Sequence, residues 1–243
     1  ANDLQRFVDT YGADTIAACF VEPIAGSTGC LVPPEGYLER LREISDEHGI
    51  LLVFDEVITG FGRLGKPFAA HAFGVTPDIM TMAKAITNGA QPMGAVAVRD
   101  EIYETVVEKG NGGIEFFHGY TYSAHPAACA AGIATLKIYE NEGLFENAAA
   151  LSDYFLEQVW TLKDIEVVKD IRGYGLMAAI DVELPGRGPG ASGMEMQKKL
   201  FWDGLHVKFT GDAGIIAPPL VAQRAHVDEL VEKLAAGLKK AMN

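Results

Sequence analysis

Apolar and polar positions alternate along the chain in two rhythms. Leu4, Phe7, Val8 and Tyr11 recur at helical spacing and predict a helix that starts almost at the first residue. Residues 15–21 (TIAACFV) form a short apolar run, which predicts a strand buried on both faces. A loop rich in Gly and Pro over 22–35 leads to Tyr37, Leu38, Leu41 and Ile44, the inner face of a helix closing at Gly49. Residues 50–54 predict a second buried strand, ending in Asp55-Glu56. Residues 79–82 predict a third, followed by Lys84, and residues 93–98 a fourth. A β-α-β rhythm of this kind implies an α/β fold: a mostly parallel sheet covered by helices.

The texture changes after Pro126. Residues 127–139 are Ala-rich and helical, and a helix over 144–162 turns Leu151, Phe155 and Val159 inward. Strands are predicted at 167–172 and 175–182, a surface loop at 184–193, a helix at 194–202, and strands at 205–209 and 215–217. The last helix, over 224–242, carries Val227, Leu230, Val231, Leu234 and Leu238 on one face. The expected boundary lies in the long helices near residues 140–150. It separates a first domain (1–145) from a smaller C-terminal α+β domain (146–243).

Composition narrows the function classes. The 243 residues are 49% hydrophobic and 22% charged, as in ordinary globular domains, and no apolar run approaches the roughly 18–20 residues of a membrane span. Twenty Lys and Arg against 33 Asp and Glu give a net charge of -13. That field disfavours nucleic acid and anionic membranes as partners, although a local basic pocket can still hold a small anion. Cys19, Cys30 and Cys129 follow no metal-ligand spacing, so no metal is expected, and reduced thiols point to the cytoplasm. The first residues show neither an initiator Met nor a signal segment, and the chain is expected to begin inside a longer protein.

Two features carry candidate chemistry. Asp55-Glu56 ends one buried strand, and Lys84 follows another; in an open parallel sheet, ligands bind outside the carboxyl ends of the strands. Glycines at 60, 62, 65, 89 and 94 let backbone approach a ligand closely. A lysine among small and apolar residues can be desolvated into a neutral amine that forms a Schiff base with a carbonyl. A carboxylate on the crevice floor can pair with a pyridinium nitrogen, and pyridoxal phosphate uses both groups. The same residues also fit a plain reading, in which the acids cap a loop and Lys84 is solvated. A nucleotide-binding module is disfavoured, because no G-x-G-x-x-G is expected after a strand and no G-x-x-x-x-G-K-[ST] occurs.

The wording of residues 53–65 (VFDEVITGFGRLG), 77–96 (PDIMTMAKAITNGAQPMGAV) and 118–126 (HGYTYSAHP) resembles the class III, or ω-amino, aminotransferases. VEPIAGSTG (21–29) upstream, with FTGD (209–212) and APPL (217–220) downstream, is similar too, in the family's order and over essentially the whole chain. Within the family the motifs look most like the ω-amino acid–pyruvate (β-alanine–pyruvate) branch. Ile58, where some relatives carry Gln, favours the pyruvate-linked over the glutamate-linked branch.

The resemblance implies a pyridoxal 5'-phosphate enzyme of fold type I, of which residues 1–145 form the C-terminal part of the large domain. It implies that Lys84 forms the internal aldimine and shuttles the substrate proton, and that Asp55 pairs with the pyridinium nitrogen. Val57 packs on the ring, Thr121 donates to the cofactor phosphate across a subunit interface with Tyr120 beside it, and Glu22 lines the substrate side. Transamination from an amine or ω-amino acid donor to a keto acid such as pyruvate is expected, in a homodimer or homotetramer with shared sites. Arg63 is read as a structural ion-pair partner, and His118 and His125 as structural loop residues.

Two departures stand beside this reading. The N-terminal portion of the family is not represented, so the chain alone is expected to be a poor catalyst. Lys208 occupies the place where the pyruvate branch usually carries an arginine for the substrate carboxylate, and it offers a point charge in place of a bidentate fork. It is either a substrate contact or an exposed strand residue. An aminomutase or a decarboxylase of the same class, and a non-catalytic cofactor-binding relative, remain the alternative functions.

Overall fold

A computed structural model describes residues 1–109 and 119–241. In chain order its principal elements are α1 (Asn2–Tyr11), β1 (Ala18–Val21), α2 (Tyr37–His48), β2 (Leu51–Asp55), α3 (Ala69–Phe73), β3 (Ile79–Met82), β4 (Ala95–Val98), α4 (Asp100–Tyr103) and α5 (Pro126–Asn141). Then come α6 (Leu144–Trp160), β5 (Val168–Tyr174), β6 (Met177–Val182), α7 (Ala191–Trp202), β7 (Lys208–Thr210), β8 (Ala213–Ile216) and α8 (Arg224–Lys240). They fall into two compact units. One comprises Ala1–Pro23, Pro34–Gly60 and Phe73–Glu142; the other comprises Ile24–Pro33, Phe61–Ala72 and Gly143–Asn243.

The first unit is built on a sheet ordered β1-β2-β3-β4, in which the first three strands are parallel and β4 is antiparallel. A parallel return needs a crossover of a dozen or more residues, usually a helix. Between Met82 and Ala95 there is only a 3₁₀ turn, Lys84–Ile86, so the chain doubles back and β4 runs the other way. α2 packs Leu38, Leu41 and Ile44 inward and stops at Gly49, whose φ of 67° is the left-handed cap that glycine adopts without steric penalty. β2, flanked by a strand on each side, buries Leu52, Val53 and Phe54.

β1 departs from expectation. It covers Ala18–Val21, pairs among the described residues with β2 alone, and leaves Phe20 72% exposed. An unbroken apolar run does not distinguish a central strand from an edge strand, because periodicity reports side chains and not neighbours.

The edge of this sheet opposite the strands' carboxyl ends is fastened by Asp78, which is almost fully buried. Its Oδ2 accepts from the Leu52 N–H at 2.7 Å and from Arg42 Nη1 at 2.8 Å, while Oδ1 pairs with Arg99 Nη1 at 3.0 Å. One carboxylate thus joins β2, α2 and the residue after β4.

The second unit holds an antiparallel sheet ordered β5-β6-β8-β7 with α6, α7 and α8 packed together and on it. Its core centres on Phe155, Leu162, Ile180, Met196, Leu200 and Leu234. Several expected boundaries shift, two of them by three residues at the start of an element. The strand expected at 205–209 is Lys208–Thr210, and α7 starts at Ala191, inside the stretch expected to be a surface loop. Gly-Pro-rich composition reads as loop locally, but the start of this helix is satisfied from a distance: Asp212 accepts from the N–H groups of Gly190 (2.6 Å) and Gly193 (2.9 Å). Cys30 is fully buried in this unit, and burial pushes its thiol up to about 11.

Two measurements check these forces. Asp78→Ala leaves a strand N–H without its acceptor, while Arg42 keeps Asp46 and Arg99 is exposed, so denaturant unfolding should show about 1–3 kcal/mol lower stability. For Cys30 the folded state keeps its proton to higher pH than the unfolded chain does. Folding stability therefore falls as pH rises from the ordinary thiol value of 9.0 toward about 11, and Cys30→Ala should flatten that stretch of the stability–pH curve.

Candidate active site

Parallel strands in one sheet all end at the same edge. In register, Val21 lies beside Phe54 and Asp55 lies beside Thr81, so the carboxyl ends of β1, β2 and β3 are level. Glu22 follows β1, Asp55 closes β2, and Lys84 comes two residues after β3. Three of the expected site residues are therefore brought to one edge of the first unit by topology alone.

Asp55 and Glu56 have different surroundings. Asp55 is half-buried; its Oδ1 accepts from the Val57 N–H at 3.0 Å, and its Oδ2 takes no hydrogen bond among the described residues. A side chain that bonds the backbone two residues on is an Asx turn, which fixes the carboxylate's rotamer and leaves one oxygen free. Glu56 is 0% exposed, its own N–H donates to the Thr81 carbonyl at 3.0 Å, and its Oε2 accepts from the Thr59 hydroxyl at 2.5 Å. The Gly60 N–H donates back to the Glu56 carbonyl at 2.9 Å, closing the turn that carries Val57.

Lys84 opens the 3₁₀ turn with φ of 44°, in the left-handed region where side chains other than glycine's are strained. It is exposed, so the desolvation expected of it is not supplied by the described residues. Lys84 and Asp55 share the edge without forming an ion pair with each other, and Lys84 has no acidic partner among the described residues. The Ala85 carbonyl, next in the chain, accepts from the Tyr139 hydroxyl at 2.7 Å.

The remaining expected residues are spread further. Tyr120 is 79% exposed and lines a cavity of about 220 Å³ with Met93, Gly94, His125 and Ala128, beside the start of β4. Gly94 approaches the Met82 carbonyl, which places this cavity at the same sheet edge. Thr121 is exposed in the turn before α5, and its hydroxyl makes no hydrogen bond among the described residues. His125 caps α5, its Nδ1 accepting from the Ala127 N–H at 3.2 Å, which is a structural role. His118, at the head of the same motif, lies outside the described residues. Lys208 opens β7 in the second unit and is exposed there. Arg63 donates to the carbonyls of Leu176 (3.0 Å) and Pro218 (2.6 Å), so it acts as a backbone tie within the second unit and not as an expected ion-pair partner in those bonds.

Sequence reasoning passed over two residues here. Thr59 sits one position before a glycine that was read for its flexibility, and Tyr139 is the last residue of a helix read only as Ala-rich. Gly60, Gly62 and Gly65 also spell the G-x-G-x-x-G spacing after β2. No helix opens at them. Gly62 and Gly65 have positive φ and give way to Phe145 and Ala149 in the second unit, which is a packing role.

A family model described as aminotransferase class III matches residues 2–238. The chain is 52% identical over 234 residues to an omega-aminotransferase of Caulobacter vibrioides, covering 96% of this chain and 53% of that protein. It is 46% identical over 240 residues to a beta-alanine–pyruvate aminotransferase of Pseudomonas aeruginosa, covering 98% and 54%. Among solved structures, an (S)-enantioselective omega-transaminase from Thermomicrobium roseum superposes with a TM-score of 0.93 at 40% identity, covering all of this chain and 55% of that one. The chain thus spans about half the length of the relatives it matches.

The Asp55 turn yields a prediction of its own. Thr59→Val keeps the shape and removes the hydroxyl, leaving a fully buried carboxylate short of a donor. Unfolding measurements should show a loss of about 1–3 kcal/mol, with Thr59→Ser close to the parent protein.

Proposed function

From the premise that this chain belongs to the class III aminotransferases, we propose that it acts within a pyridoxal-phosphate enzyme that moves an amino group from an amine or ω-amino acid to a keto acid such as pyruvate. The observation that carries this reading is the meeting of Asp55 and Lys84 at one sheet edge, unpaired with each other. The donor set fits the cofactor: a free amine for an aldehyde, a carboxylate with one open oxygen for a protonated ring nitrogen, and an unengaged hydroxyl on Thr121 for a phosphate.

In this reading Lys84 Nζ would hold the aldehyde, Asp55 would hold the ring nitrogen, and Val57 would pack on the ring. Thr121 donates to the phosphate, with Tyr120 beside it. When bound, pyridoxal phosphate supplies an electron sink that makes the hydrogen on the carbon bearing the amine acidic. The amine of Lys84 would be the group that accepts and gives back that proton, as general base and then general acid. Glu22 stands on the substrate side, and the resemblance alone assigns Lys208 to the substrate carboxylate. A two-domain division near residue 145, a homodimer or homotetramer with shared sites, and a cytoplasmic setting complete the proposal. No described helix is long and apolar enough to cross a membrane.

Borohydride reduction in the presence of pyridoxal phosphate, followed by peptide mapping, tests the central residue: the label should sit on the peptide containing Lys84, and a label on another lysine would refute the assignment. Asp55→Asn should retain cofactor but lower kcat on the order of 100-fold, the scale of removing one preorganised electrostatic partner. An unchanged kcat would remove Asp55 from the mechanism.

A further inference from the structure

A strained residue at a working position must be held by its surroundings, and the holder here is identifiable. Lys84 has its backbone in the left-handed region, with φ of 44°, between an extended Ala83 and a single 3₁₀ turn. That conformation costs roughly 1–2 kcal/mol for an L-residue with a side chain. Locally, one ordinary bond brackets Lys84, from the Ile86 N–H to the Ala83 carbonyl at 3.1 Å, and the next two are long: Thr87 N–H to the Lys84 carbonyl at 3.4 Å, and Asn88 N–H to the Ala85 carbonyl at 3.3 Å. The Ala85 carbonyl has a second, shorter bond at 2.7 Å, from the Tyr139 hydroxyl.

Tyr139 reaches this carbonyl because of the build of α5. The buried positions of the helix are Ala128, Gly132, Thr135 and Tyr139, one stripe at helical spacing. The first three are small and let the helix come in close, so that a Cβ placed at Gly132 would lie against Met93 Sδ and the Ile86 carbonyl. The fourth is large, only 7% exposed, and ends in a hydroxyl that bonds outside its own helix, whereas the Thr135 hydroxyl bonds within it.

We propose that Tyr139 is a positioning residue for Lys84: its hydroxyl, anchored on α5, clamps the Ala85 carbonyl and keeps the Lys84 backbone in its strained, ligand-ready conformation. This rests on the reading of Lys84 as the cofactor lysine. A net hydrogen bond of about 0.5–1.5 kcal/mol is of the same size as the strain it opposes. Without it, a relaxed turn competes, and the apparent affinity for the cofactor falls by the lost fraction of the ready conformer.

The test compares Tyr139→Phe with Thr135→Val. Both remove one buried hydroxyl from α5, but Thr135 bonds only the Ala131 carbonyl of its own helix. Absorbance titration of the cofactor-free protein with pyridoxal phosphate should give a Kd raised about 2- to 10-fold in Tyr139→Phe, and little change in Thr135→Val. Hydrogen exchange at the Ile86, Thr87 and Asn88 amides should quicken in the first variant and not in the second. An equal rise in Kd for both variants, or an unchanged Kd in Tyr139→Phe, overturns the proposal. Borohydride mapping separates the two possible failures. A label on Lys84 with no Tyr139 effect removes only the clamp, whereas a label elsewhere removes the reading beneath it.

Discussion

Everything in the candidate site follows from three strands running parallel. Parallel pairing brings successive strand ends to one edge, whatever the loops between them do, and it sets an acid from β1, an acid from β2 and the lysine after β3 side by side. The antiparallel β4 then brings Gly94 back beside Met82 and borders the same edge with the cavity that Tyr120 lines. Residues separated by dozens of positions in the chain are made neighbours by hydrogen-bond register, with no contribution from their own side chains. The opposite edge is tied by Asp78 through two arginines and a strand N–H. The Asp78 cluster thus lies at one end of the sheet, and Asp55 and Lys84 lie at the other.

A site with few partners has to be ordered by means that do not consume its functional atoms. Asp55 is oriented by a backbone N–H at one oxygen, and Lys84 by bonds to the carbonyl of the residue after it. In both cases the constraint reaches the residue through main chain, and the charged atom a ligand would need stays open.

Much of this was legible in the sequence, and the limits were physical. β3 was read at its observed bounds because its apolar run is closed by Pro77-Asp78 on one side and Ala-Lys on the other. The start of α6 and that of α8 were read correctly from amphipathic spacing. Errors came where the deciding contact is remote. α7 begins early because Asp212 caps it from the β7–β8 turn, and β1 is half-exposed because it has a strand on one side only. At the candidate site, the placing of Asp55 at the end of one strand and Lys84 just after another was readable, since each follows a short apolar run. The clamps were not, since Thr59 and Tyr139 look like ordinary turn and helix residues until the partners of their hydroxyls are known.

The Asp55-Glu56 pair shows why spacing alone underdetermines roles. Two adjacent acids at a strand end are chemically near-equivalent in a sequence, and either could be assigned to a ligand. The pleat separates them, because successive side chains in an extended backbone point to opposite sides. One falls at the sheet edge, half-buried and with an open oxygen; the other falls inward, where an acid without a donor would be costly and where the Thr59 hydroxyl supplies one. Exchanging the order of the two acids would preserve composition, net charge and motif length. It would also put the shorter side chain where it cannot span to Thr59 and the longer one where the Asx turn cannot form, so both the buried bond and the presented carboxylate would be lost together.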